Sequence, residues 1–165
     1  MYYGKWNEAI DTLIKHLNLE SAIWKDERAA SMRFIARSYK ALKRYDEARL
    51  WLNKAIEEAP YLRDAYVEMA MLEYELENWS SVEKYCNKAL KIKKHTKSYI
   101  NEPFSFDHTI YDLLSLAKFY QNEIDIALFY SNKALEISPN EERLINNNKI
   151  ISEYLNSDAN KKTID

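Results

Sequence analysis

Glycine is almost absent from this chain: one occurs in 165 residues, beside three prolines and a single cysteine. Compact β proteins use glycine in tight turns, and nucleotide enzymes use it in the loops that cradle phosphate, so both classes fit poorly. The scarcity favours long helices with short connections. One cysteine excludes an internal disulfide framework and fits a reducing compartment. No apolar run approaches the roughly 18 residues needed to cross a bilayer. The start, Met1-Tyr2-Tyr3-Gly4-Lys5-Trp6, lacks the apolar stretch of a signal peptide. A cytoplasmic location with no membrane contact is expected. Neither charge sign predominates, with 24 Lys plus Arg against 26 Asp plus Glu and a net charge of −2. Nucleic-acid binders show a basic excess because phosphate contacts dominate their affinity, so no nucleic-acid partner is expected.

Apolar and aromatic residues are plentiful. Hydrophobic residues make up 47% of the chain, including 13 Tyr, 5 Phe and 4 Trp, enough for one sizeable core. They recur with a period. Asn-Lys-Ala occurs at residues 53–55, 87–89 and 132–134, the first two copies 34 residues apart and the third 45 further on, which is 34 plus an insertion of 11. An aliphatic residue follows each copy (Ile56, Leu90, Leu135). Seven positions before each repeated Ala stands Ala48, Val82 or Ala127, and three before that a bulky residue, Tyr45, Trp79 or Ile124. Stepping back 39 residues finds a looser copy in Trp6, Ala9, His16 and Leu17. Small residues at helical spacing let two antiparallel helices approach closely, and the bulky ones fill the gap to the next pair. Pro60 and Pro139, five residues after a repeated Ala, stop the second helix of their pairs.

This pattern resembles the tetratricopeptide repeat, whose period is about 34 residues. Met32, Ile35, Ala36 and Tyr39 match the bulky, apolar, small and aromatic positions of that family's first helix. The resemblance covers 29–94 and 108–139 well and 1–21 in part. It implies an all-α, right-handed superhelix of antiparallel hairpins with a C-terminal capping helix. The expected domain is 1–156: a partial repeat at 1–21, repeats at about 29–62, 63–96 and 108–141, and a cap at 140–155. The predicted helices are about 5–19, 24–42, 45–58, 62–76, 79–92, 106–121, 124–137 and 140–155, followed by a disordered tail at 157–165. The first repeat lacks its leading helix, so the chain reads as cut from something longer.

Three stretches carry a narrower resemblance: Trp24-Lys25-Asp26-Glu27-Arg28; residues 60–79, beginning Pro-Tyr-Leu-Arg-Asp-Ala-Tyr; and residues 98–114, beginning Ser-Tyr-Ile-Asn-Glu-Pro-Phe. They are similar to the repeat region C-terminal to the catalytic domain of bacterial family-2 glycosyltransferases. That catalytic domain binds its nucleotide sugar with an Asp-x-Asp metal motif, and neither the domain nor the motif appears here. The resemblance therefore implies a parent enzyme and a non-catalytic fragment with no cofactor.

No residue set competes strongly for a chemical role. Glu102, Asp107, His108 and His95 flank the insertion at spacings that match no metal motif. Cys86 occupies a core position with no His placed to activate it. His16 stands where the repeat calls for Ala, at a partly exposed end. The candidate site is instead the concave face, which the first helix of each hairpin lines in this family. Arg33, Arg37 and Lys40 form one stripe at i, i+4 and i+7, equivalent to Val67, Met71 and Tyr74 in the next repeat and to Asp112, Leu116 and Phe119 in the one after. A basic rim beside an apolar strip suits an acidic, aromatic peptide or a partner domain. The expected partner is thus a protein or peptide, either the chain's own catalytic domain, a second copy as a homodimer, or a separate ligand. The competing reading is a solvated face. The Asn that chaperone-binding members place beside their Lys to clamp a C-terminal carboxylate is absent, Arg37 standing there, so chaperone-tail recognition is not implied.

Overall fold

The computed structural model describes residues 4–94, 96 and 98–162, with side chains described as far as 157. Among the described residues there are eight α-helices and no strand: α1 (Trp6–Leu17), α2 (Lys25–Ala41), α3 (Tyr45–Glu58), α4 (Asp64–Glu75), α5 (Trp79–Lys91), α6 (Thr109–Tyr120), α7 (Ile124–Ile137) and α8 (Glu142–Lys162). A short 3-10 turn, Pro103–Ser105, lies in the insertion between α5 and α6. Helices α2/α3, α4/α5 and α6/α7 pair as antiparallel hairpins, with α1 packed on α2 and α8 on α7. The terminal helix runs past its expected end near 155, because no glycine or proline follows Pro139 to stop it. Residues 163–165 of the expected tail lie outside the described residues, as does His95.

The repeated small residues make this packing possible. Ala48, Ala55, Val82, Ala89, Ala127 and Ala134 are all fully buried at helix contacts, and the bulky residues around them complete the clusters between hairpins. Ala9 and His16, their counterparts in α1, are only half-buried, because no second helix among the described residues covers that side of α1. His16 Nδ1 lies 3.0 Å from Ser31 Oγ. Leu144 and Ile151 are the buried side of α8, and Ile151 packs beside Ile124 and Ala127 of α7.

The hairpins turn without glycine. Lys43, Glu77 and Asn122 adopt φ values of 59°, 55° and 63°. In each, the next residue's amide reaches back five positions (Arg44 to Tyr39, Asn78 to Glu73, Glu123 to Lys118, all 2.9 Å). The left-handed residue's own amide reaches back three. This is the bonding of a Schellman cap, where glycine is the usual choice because an L side chain is disfavoured at positive φ.

Candidate functional site

The insertion decides what the concave face can do. Asp64, at the start of α4 and 1% exposed, accepts hydrogen bonds from Asn101 Nδ2 (3.2 Å), the Glu102 amide (2.6 Å) and Ser105 Oγ (3.0 Å). Arg63 donates to the carbonyls of Ile92 (2.7 Å) and Ser105 (3.3 Å), and its guanidinium lies 4.3 Å from the Phe106 ring centroid. Burial moves the Arg63 pKa below its ordinary value. The insertion thus rests against α2 and α4. Polar bonds do much of the anchoring, and Tyr99 at its tip is 81% exposed.

Arg33, expected on the basic rim, is 3% exposed. Its guanidinium donates to Glu68 Oε1 (2.6 Å) and to the Ile100 carbonyl (2.9 Å). Arg37 is half-buried and donates to Glu68 (2.7 and 3.0 Å) and Glu102 (2.5 Å). Burial alone would lower the Arg37 pKa, but its hydrogen bonds to these two carboxylates outweigh that and raise it. Two guanidiniums therefore meet three carboxylates, since Asp64 is 3.9 Å from Arg33. Lys40 pairs with Glu75 at 2.5 Å. The basic stripe legible in the sequence is neutralised within the molecule, and an acidic partner finds no free cation in it.

The same geometry sorts the other candidates. The three residues of each stripe share one side of their helix and differ in height along it. Arg33 near the middle of α2, and Val67 and Asp112 in the first turns of α4 and α6, are buried: under the insertion, in the core between α4, α5 and α6, and against Arg143 of α8 (2.8 Å) respectively. They are not available to a ligand. Arg37, Met71 and Leu116, then Lys40, Tyr74 and Phe119, are half-buried and nearer the open ends. Trp6, Ala36, Arg37, Lys40, Met71 and Phe104 are among the residues lining a cleft of about 680 Å³. Beyond it runs a row of rings: Tyr74, Trp79, Tyr120, Phe119 and Tyr154, with successive centroids 5.7, 4.3, 5.6 and 5.5 Å apart. Trp79, Tyr120 and Tyr154 were not among the sequence candidates. Trp79 was assigned to the repeat frame, and only the meeting of α4, α5, α6 and α8 brings the five together.

The remaining titratable candidates have local partners. Asp107 accepts a hydrogen bond from the Thr109 amide (2.8 Å) at the start of α6, and His108 Nδ1 lies 2.9 Å from Ser138 Oγ. With Glu102 on Arg37, these side chains point to separate partners. Among the described residues no three His, Cys, Asp or Glu side chains converge on a metal-sized site. Cys86 is fully buried, which pushes its thiol up to about 12 and keeps it protonated. No helix among the described residues is long and apolar enough to cross a membrane.

Paired antiparallel helices, small residues at their contacts and a concave face lined by first helices define a tetratricopeptide-type superhelix. A family model described as a tetratricopeptide repeat matches residues 34–61. Among solved structures, the first tetratricopeptide domain of Spaghetti (RPAP3) bound to the HSP90 peptide SRMEEVD is similar at 22% identity and a TM-score of 0.67, covering 79% of this chain and 94% of that one. The first such domain of human RPAP3 gives 23% identity and 0.67, with 82% and 98% covered. The N-terminal domain of stress-induced protein-1 from C. elegans gives 17% and 0.66, with 78% and 97% covered. No curated protein matches the chain.

Proposed function

We propose that this chain is a non-catalytic protein–protein interaction scaffold whose contacts form on the open part of the concave face. The observation that carries this is the row of five partly exposed rings beside a cleft, on a face whose Arg33, Arg37 and Lys40 are already paired. Exposed aromatic area with few free charges is the composition of an interaction surface. The fold neighbours support the reading, since one of them holds a peptide.

The finer reading is a repeat region appended to a bacterial, cytoplasmic family-2 glycosyltransferase, where it mediates self-association or presents an acceptor protein. Its support is the way the three resembling stretches meet. Tyr61 donates to Asp26 at 2.6 Å, and Arg63, Asp64 and Glu68 of the second stretch bond to, or share arginines with, residues 100–105 of the third. A plain repeat needs no such insertion. The other reading, a free-standing peptide-binding adaptor, draws on the peptide complex among the neighbours. The reading frame upstream of Met1 discriminates: an α/β domain with an Asp-x-Asp motif decides for the enzyme-linked scaffold, and its absence for the adaptor. Calorimetry of the isolated chain with nucleotide sugars and Mn²⁺ should show no binding, and a saturable micromolar signal would overturn the scaffold assignment.

A further inference from the structure

The aromatic row has acidic neighbours. Tyr74, Trp79 and Tyr120 enclose a depression of about 310 Å³ whose remaining lining is Glu75 and Glu77. Trp79 and Tyr120 stack with 11° between their planes, and Tyr120 is 57% exposed. Glu77 occupies the left-handed position of the α4–α5 turn, and no ion pair holds it among the described residues. Glu75 has Lys40 on one oxygen. The nearby cation of the next hairpin, Lys118, is held by Glu83 (2.8 Å) and Glu123 (3.0 Å). The depression therefore presents ring faces and carboxylates, with no cation in its lining.

Both features select the same ligand charge. An aromatic face is the negative side of the ring quadrupole and attracts a cation within about 6 Å of its centroid. Carboxylates attract it again, and they repel phosphate and acidic peptides. A planar guanidinium satisfies the two together, because it stacks flat on a ring while its N–H fork meets a carboxylate; an ammonium is a hydrated point charge and does this less well. A neutral sugar gains from the rings and not from the charge. We propose that the Tyr74–Trp79–Tyr120 shelf, with Glu75 and Glu77, is a docking site for an arginine-bearing segment of a partner protein. The proposal rests on the reading of the open concave face as a protein-binding surface and reverses the partner charge that the Arg33–Arg37–Lys40 stripe suggests.

The test is an NMR titration of the chain at low ionic strength with an oligoarginine peptide, and with oligolysine and oligoglutamate peptides of equal length. The Trp79 indole N–H is assigned from a Trp79→Phe variant. Oligoarginine should shift that resonance saturably and bind several-fold tighter than oligolysine, while oligoglutamate leaves it in place. Tyr120→Leu combined with Glu77→Gln should weaken oligoarginine binding about tenfold or more. Both positions are surface ones, so an unchanged melting temperature certifies the fold, and Lys54→Ala on exposed α3 should bind like the parent. Shifts spread over the molecule with an affinity that ignores the Tyr120/Glu77 variant would overturn the site. So would equal binding of oligoglutamate or of a neutral oligosaccharide. Surface-bound kinetics with a protein partner separate the two ideas: if that association survives while oligoarginine fails, the arginine chemistry falls and the scaffold reading stands; if neither binds, both fall.

Discussion

Replacing Asp64 with Ala should release the insertion while sparing the hairpins. The carboxylate is 1% exposed and accepts three hydrogen bonds from the segment 101–105, one from a backbone amide and one from the fully buried Ser105 hydroxyl. A hydrogen bond to a charged group contributes about 1.5–3 kcal/mol, and a buried donor left unpaired costs about 1–3 kcal/mol. The contributions overlap, since the freed segment can move its donors toward water. Arg33 also keeps Glu68, so no buried charge is stranded. A net loss of about 3–5 kcal/mol follows. For a domain of this size each kcal/mol lowers Tm by about 2–4 °C, giving a fall of roughly 6–20 °C. Thermal melting reads the total. Hydrogen exchange at the Glu102 amide reads the mechanism and should accelerate far more than core amides of α4. Tyr99→Ala, an 81% exposed change at the insertion tip, should cost within about 0.5 kcal/mol. A fall below about 2 °C for Asp64→Ala, or unchanged exchange at Glu102, would refute the view that this carboxylate holds the insertion.

Ala55→Leu and Ala89→Leu, at fully buried helix contacts, should each cost about 1–3 kcal/mol by overpacking, while Lys54→Ala and Lys88→Ala on the exposed side stay within about 0.5 kcal/mol; equal denaturation midpoints would mean the repeat frame is misplaced. Lys43→Gly, at φ 59°, should stabilise by about 0.5–1 kcal/mol in the same assay, because glycine removes the left-handed penalty at that turn. Cys86, its thiol pushed up to about 12 by burial, should resist thiol reagents until the protein unfolds. Since its folded pKa lies above the unfolded value of about 8.5, its contribution is complete below that pH and is lost as pH rises toward about 12. Cys86→Ala should therefore flatten alkaline unfolding over that window.

The helical frame was legible because its causes are local. The spacing of Ala48, Ala55, Val82 and Ala89 states which faces touch, and Pro60 and Pro139 state where helices stop. The candidate site was half legible. Counting turns put Arg37, Met71, Tyr74 and Phe119 on one side of their helices, and all four are half-buried there. Counting turns gives azimuth, however, and says nothing of what lies over each height of the helix. The insertion, 67 residues after Arg33, supplies the Ile100 carbonyl that covers it, and Glu102 takes up Arg37 from a similar distance. Glu68, which lines the cleft three residues before Met71 on α4, was readable only as one more helix charge until its partners were in place. The same holds for Trp79 and Tyr120, which belong to different hairpins and become one stack only in the superhelix.

The proposed role of the concave face is to bind protein through its rings, with its arginines structural. The direct test compares two variants, Tyr120→Ala and Arg37→Ala, by surface-bound kinetics with a second copy of this chain or with the catalytic domain proposed for the parent enzyme, alongside their melting curves. Tyr120→Ala should leave melting unchanged and speed dissociation about tenfold, as loss of an anchor ring does. Arg37→Ala should lower the melting temperature, because it breaks the pairs with Glu68 and Glu102, and leave the dissociation rate within about twofold. The reverse pattern, slower association for Arg37→Ala and an unaltered off-rate for Tyr120→Ala, would contradict the claim.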